Sequence, residues 1–174
     1  GAIGVVADGE TSSAGFGVTN AEHPLDVTTD TLFQIGSITK TITATVMMRL
    51  VEQGKLDLDA TVRTYLPEFR VRDEEASQRA TLRSLLTHTA GWTGDFFADT
   101  GQGEDASRRY VEQMADLEQL APLGEVYSYN NAGFYLAGRI VEVVTGNAFE
   151  TVARELVLEP IGMERAYMAP LDVM

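Results

Sequence analysis

The chain contains no cysteine, which excludes disulfides and thiolate metal sites and leaves the redox compartment undetermined. Histidine is almost absent as well. Only His23 and His88 occur, far apart in sequence, so a histidine-rich metal centre is not expected and no cofactor is implied. Basic residues are scarce, 13 Lys and Arg against 26 Asp and Glu. The resulting net charge of −13 argues against a nucleic-acid partner, because neutralising phosphates requires clustered cations. It mildly repels anionic substrates at low salt, and its plainest consequence is solubility. No apolar run reaches the roughly 20 residues of a membrane span. An initiator methionine and a charged-then-apolar leader are both missing, so the sequence reads as a mature chain or an excerpt. Nothing in it specifies a compartment or an oligomeric state.

What is present suits one domain of 174 residues with an ordinary globular composition. Ala2 to Ala7 is apolar, Asp8-Gly9 follows, and a second run carries Phe16 and Val18; Asp-Gly between two such runs predicts a hairpin. A helix is predicted from Ser37 to Gln53, with Ile38, Ile42, Val46 and Leu50 at i, i+4 spacing and Gly54 as the stop. Its other face offers Thr39, Thr41, Thr43, Ala44 and Thr45, which suits a helix packed on most sides. Leu56 to Pro67 reads as an irregular or short helical connection, and charged Arg70 to Arg79 as a solvated loop. Thr81 caps a predicted helix Leu82–Thr87, and Gly94–Gly103 is a loop. Further helices are expected over Ala106–Leu120, Ala132–Thr145 closed by Gly146, and Phe149–Leu158, with no clear period from Ile161 to Met174. A hairpin followed by helices is an α+β order. A two-stranded hairpin is only marginally stable by itself, so more strands or a covering helix are expected.

Chemistry concentrates at Ser37 and Lys40. Lys40 is the only ionisable side chain between Ser37 and Arg49, and the spacing puts both groups on one side of a first helical turn. A serine hydroxyl needs a neighbouring base before it attacks a carbonyl. A lysine serves as one only if neutral near pH 7, about three units below its reference value, a cost of about 4 kcal/mol that burial in an apolar helix can supply. Backbone N–H groups at the helix start favour an oxyanion. The plain alternative is Ser37 as an N-cap and Lys40 reaching out to solvent.

Residues 33–40, Phe-Gln-Ile-Gly-Ser-Ile-Thr-Lys, resemble the nucleophile motif of the serine β-lactamase and penicillin-binding-protein superfamily. In the order of its class C β-lactamase-like esterase and DD-peptidase branch follow Leu85-Leu86-Thr87-His88-Thr89-Ala90-Gly91, Tyr129-Asn130-Asn131-Ala132-Gly133-Phe134 and Glu159-Pro160-Ile161-Gly162-Met163. The resemblance covers nearly the whole chain. It implies a β-lactamase/transpeptidase-like α+β fold, a helical region packed on an antiparallel sheet, with Ser37 as acylated nucleophile and Lys40 as its proton acceptor. It further implies Tyr129 as partner base and Asn131 as a substrate-binding amide. A phenol and an ammonium of similar pKa can share a proton, and a cationic Lys40 would pull Tyr129 toward phenolate. The alternatives are a packed core tyrosine and Asn131 as N-cap of the helix behind it. In this family the histidine of the second motif belongs to a structural turn and is not the base. Trp92 reads as packing, and Asp95 and Glu125 as solvated loop carboxylates.

Two features of the family are missing after Asn131: the K-T-G or H-x-G strand, which supplies the second oxyanion N–H, and the C-terminal strands of the sheet. The simplest account is a partial domain over 1–174, an N-terminal hairpin plus helical region of a longer protein. The expected function is a serine hydrolase acting through an acyl-enzyme on a small ester, β-lactam or peptide of the D-Ala-D-Ala type. The acidic charge favours neutral esters over anionic β-lactams. The alternative is a non-catalytic penicillin-recognising or scaffold module of the same fold.

Overall fold

Asp8 and Gly9 both take positive φ, 53° and 83°, the backbone that joins antiparallel strands through two residues. In the computed structural model, which describes residues 1–103 and 105–168, they connect β1 (Ala2–Ala7) to β2 (Glu10–Gly15). The register runs from Ala2 opposite Gly15 to Ala7 opposite Glu10, so the expected hairpin is present, its second strand ending before Phe16. Gly15 has to be glycine, because a Cβ there would lie 2.4 Å from the Val27 carbonyl oxygen. These strands belong to the first of two compact units, Gly1–Gly36 and Ser37–Met174. Ile3, Val5 and Val6 are exposed, and the hairpin pairs with no third strand among the described residues.

In the second unit a 3-10 turn at Gly36–Ile38 leads into α1 (Thr39–Glu52). There follow α2 (Val62–Tyr65), α3 (Glu74–Arg79), α4 (Leu82–Leu86), α5 (Ala106–Gln113), α6 (Asn131–Thr145) and α7 (Phe149–Ala153), continued by a π-helical turn Arg154–Leu158. Helix α6 is the hub, packing on α1, α2, α4, α5 and α7. Ala132, Leu136, Ala137, Ile140 and Val141 recur at helical spacing and are fully buried along it. Asn130 caps its start, its Oδ1 accepting from Gly133 N at 2.7 Å, and Gly146 ends it at φ 72°. Val46, Met47 and Leu50 of α1, Leu82 and Leu85 of α4, Tyr110 and Val111 of α5, and Trp92 complete the core.

Several expectations are corrected. The Arg70–Arg79 segment is not all loop: Asp73 caps α3 by accepting from Ala76 N at 2.7 Å, and Ser77 is buried, bonding back to Val71 O. The helix from Ala106 stops at Gln113 and a 3-10 turn Met114–Asp116, because the next carbonyls have partners elsewhere. Leu117 O accepts from Arg72 N and Glu118 O from Thr93 N. The expected helix Phe149–Leu158 is present over its whole span, with its second half, Arg154–Leu158, wound as a π-helix. Helix α1 is not packed on most sides: it buries one stripe, while Ile38 and Met48 stay 62% and 47% exposed. Its threonines satisfy their hydroxyls within the helix, Thr41 on Ile38 O, Thr43 on Thr39 O and Thr45 on Thr41 O. Turns follow Leu158 as far as Met168; the rest of the tail, 169–174, lies outside the described residues.

Because Leu136 is fully buried at the centre of the hub, Leu136→Ala is expected to destabilise the protein by about 2–5 kcal/mol. Urea denaturation checks this, and a loss below about 0.5 kcal/mol contradicts the central position of α6.

Candidate active site

The turn that starts α1 brings Lys40 back onto Ser37. Lys40 Nζ donates to Ser37 Oγ at 3.1 Å and to Asn131 Oδ1 at 2.7 Å, across 91 residues of sequence. Neither plain alternative for this pair holds. No side chain caps α1, and the Lys40 side chain is half-buried among partners rather than extended into water. The Lys40 ammonium also lies 4.7 Å from the Tyr129 ring centroid and 5.7 Å from that of Phe134. Ser37 itself is exposed and accessible to a ligand.

Tyr129 and Asn131 flank a residue that the sequence reading passed over. Asn130 is buried, its Nδ2 donating to Trp92 O at 2.9 Å while its Oδ1 caps α6. The helix cap is therefore Asn130 and not Asn131, which frees the Asn131 side chain to meet Lys40. The signal was available in Asn130-x-x-Gly133, the spacing of a cap and its third residue. Gly94 closes against the same segment, its carbonyl accepting from Asn131 N and Ala132 N at 3.0 and 3.1 Å. A Cβ at Gly94 would stand 2.5 Å from Tyr129 O, so only glycine allows that approach. Asp95, expected to be a solvated loop carboxylate, is exposed and also accepts from Asn131 Nδ2 at 2.9 Å, a partner the sequence does not reveal. A carboxylate only accepts and an ammonium only donates, so together they fix which end of the Asn131 amide faces which partner.

Hydrogen bonding to Lys40, then to Ser37, draws the Tyr129 phenol below its ordinary value near 10, against smaller opposing effects of burial and of the Asp95 charge. The four predicted residues, Ser37, Lys40, Tyr129 and Asn131, thus form one polar cluster within a single compact unit. His88 does not join it as a base toward Ser37. Its Nδ1 accepts from Asn130 N at 2.9 Å, and its ring stacks on Tyr129 at 4.6 Å. Burial, then the Lys40 charge, holds His88 below the usual histidine value. Trp92 is buried against Phe69, which makes it packing as expected. A separate groove, lined by Glu68, Arg70, Arg108, Val111, Glu112 and Arg139, has mixed charge and none of the cluster residues. Among the described residues no group of three or more His, Asp or Glu is placed to hold a metal, and no helix is long and apolar enough to cross a membrane.

A cluster of serine, lysine and tyrosine at the start of a helix is the arrangement that the sequence motifs imply. The chain belongs to the Beta-lactamase family, which matches residues 1–173. It is 39% identical over 99% of its length to penicillin-binding protein 4 of Amycolatopsis lactamdurans, covering 45% of that protein. With the esterase EstB of Burkholderia gladioli it shares 35% identity over 84% of this chain and 41% of the relative. Its structure resembles the octameric penicillin-binding protein homologue from Pyrococcus abyssi, with a TM-score of 0.82 and 32% identity, over 99% of this chain and 41% of the other. The fold is thus that of β-lactamase/transpeptidase proteins, and the chain spans less than half the length of these relatives.

The lowered Tyr129 value has a direct signature. In an ultraviolet titration of the intact protein, one tyrosinate is expected to form at lower pH than the rest, and Lys40→Met should move it upward, since the cation favours the charged phenolate. The associated folding stability is complete above the ordinary value near 10 and is lost as pH falls through the lowered one. An early-ionising tyrosine that ignores Lys40→Met contradicts the assignment.

Proposed function

We propose that the chain carries the nucleophile and the proton-transfer groups of a serine hydrolase that works through an acyl-enzyme on Ser37. The observation that carries this reading is the Lys40 ammonium bridging Ser37 Oγ and Asn131 Oδ1 beside the Tyr129 phenol. In this arrangement Lys40 donates to the hydroxyl, so the proton of Ser37 leaves toward a Tyr129 phenolate that Lys40 stabilises. Lys40 and Tyr129 thus act as one base. Ser37 Oγ forms a bond to the substrate carbonyl carbon, and the Tyr129–Lys40 pair returns the proton to the departing alcohol or amine. A water then repeats the sequence and releases the acid. Asn131, held by Asp95, offers its amide to the substrate. N–H groups at the start of α1 face the developing oxyanion.

The substrate class we favour is a neutral ester. The net charge of −13 and the Asp95 carboxylate beside Asn131 both disfavour anionic β-lactams, and one relative is named an esterase. The alternative donors are β-lactams and D-Ala-D-Ala peptides. The domain is read as the N-terminal and helical part of a larger hydrolase domain, in line with the share of its relatives that it spans.

Two measurements on the intact protein test this. A fluorophosphonate or penicillin probe is expected to label Ser37, with no label in Ser37→Ala and labelling slowed about 10²-fold to 10⁴-fold in Lys40→Ala with the fold kept. Absence of an adduct on the native protein favours a non-catalytic binding or scaffold module. Short-chain nitrophenyl esters are expected to turn over faster than a chromogenic cephalosporin, and the reverse order overturns the ester preference.

A further inference from the structure

His88 is one of only two non-glycine residues with positive φ among the described residues, at 59°. It stands just past the end of α4, where glycine or asparagine is the usual solution. A side chain kept in a disfavoured backbone conformation is retained for what it touches. Here the contacts bracket Tyr129. The His88 carbonyl accepts from Ser128 N at 2.8 Å, and Nδ1 accepts from Asn130 N at 2.9 Å. Between those two grips the imidazole stacks on the Tyr129 ring at 4.6 Å. Phe134 and Tyr127 close its other sides, at 5.0 and 5.6 Å.

We propose that His88 is a positioning residue for the proton-transfer step: as the neutral Nε2–H tautomer it holds residues 128–130 so that the Tyr129 phenol stays against Lys40 and Ser37. This rests on the acyl-enzyme reading above. The tautomer follows from chemistry, since a backbone N–H only donates and Nδ1 must therefore keep its lone pair. Protonation would set an N–H against the Asn130 N–H and release the segment. The groups facing the imidazole are the Lys40 ammonium from α1, the Tyr127 and Tyr129 phenols from the segment before α6, and the uncharged Phe134 and Asn130. None of them offers a protonated His88 an anion, and Lys40 opposes it. The site is expected to lose its geometry only below the ordinary histidine range, because burial and then the Lys40 charge hold this imidazole lower.

The test uses the intact protein and two substitutions at His88, whose missing signal assigns the imidazole. Nitrogen NMR of the imidazoles should show His88 with its proton on Nε2 at neutral pH; a proton on Nδ1 overturns the proposal. Asparagine tolerates positive φ and presents an acceptor oxygen in the place of Nδ1, yet it does not titrate. Ser37 labelling is expected to slow about tenfold to a hundredfold in H88A, the size of effect that misplacing a reacting group gives. In H88N it should recover most of the rate, and the acid limb of the wild-type pH profile should flatten. An H88N protein as slow as H88A, or one that keeps the wild-type acid limb, overturns the proposal. If H88A does not fold, H88N and the tautomer still decide. A native protein that takes no label sinks the acyl-enzyme reading instead, and the tautomer then judges the His88 contact by itself.

Discussion

An ammonium withdrawn from water must find acceptors for its protons, and that requirement at Lys40 organises the site. Its acceptors are Ser37 Oγ, one turn earlier on the same helix, and Asn131 Oδ1, on the first residue of another. The Tyr129 ring lies beside the amine, its centroid 4.7 Å from Nζ. Each partner is held in turn by something that never touches the amine. Asp95 takes the amide nitrogen of Asn131, so the oxygen is left to Lys40. Asn130 takes the helix cap, so Asn131 is spared that work. Removing Asp95 or Asn130 would therefore disturb Lys40 without removing any of its own contacts.

The precision of this cluster comes from the core behind it. Helix α6 carries Asn131 at its first residue, and its buried stripe begins at the next one, Ala132. The position of Asn131 is thus set by close packing against α1, α2 and α4 rather than by loop conformation. Tyr129 precedes the helix and lacks that support. It depends on Gly94 and His88, both distant in sequence, and on the neighbouring Asn130, whose side chain is tied to Trp92 O. The residue to which the proposed mechanism gives the most demanding task is therefore the one held mainly by polar contacts and ring stacking, with 43% of its surface open.

What could be read from the sequence follows the range of the interactions involved. The hairpin turn at Asp8-Gly9, the Thr81 cap with its reciprocal bond to Ser84, and the Gly146 stop are each settled by a few adjacent residues, and each was legible. The same is true of the contact between Lys40 and Ser37, three residues apart. Helix α3 was hidden because its charge density outweighed a short Asp73 cap, although the cap is what the backbone obeys. The helix after Ala106 was overextended because Leu117 and Glu118 bond to segments far away in sequence, which no local period reveals. The one-sided burial of α1 and the pairing of Asp95 with Asn131 belong to the same class. The nearness of Tyr129 and Asn131 to Lys40 was expected only through the motif resemblance, since their local alternatives were equally good on spacing.

The electrostatics explain why such a site suits acyl transfer. Lys40 lies in the first turn of α1 and meets the first residue of α6, so two helix N-termini converge on one cation. Helix N-termini disfavour positive charge by about 0.3–1 kcal/mol each at exposed sites. They favour negative charge in the same place. The cation is therefore the one member of the cluster that the backbone field opposes, whereas a Tyr129 phenolate and a carbonyl oxygen turning into an oxyanion are both supported by it. In the proposed reaction, negative charge building on a substrate would meet an ammonium, helix termini and an Asn131 amide already oriented, with little reorganisation left to be done. Asp95 sets the limit on this preference. It supplies an exposed carboxylate behind Asn131, so in the proposed reaction charge developing at Ser37 would be supported, while an anion carried in by a substrate would meet repulsion at the adjoining amide.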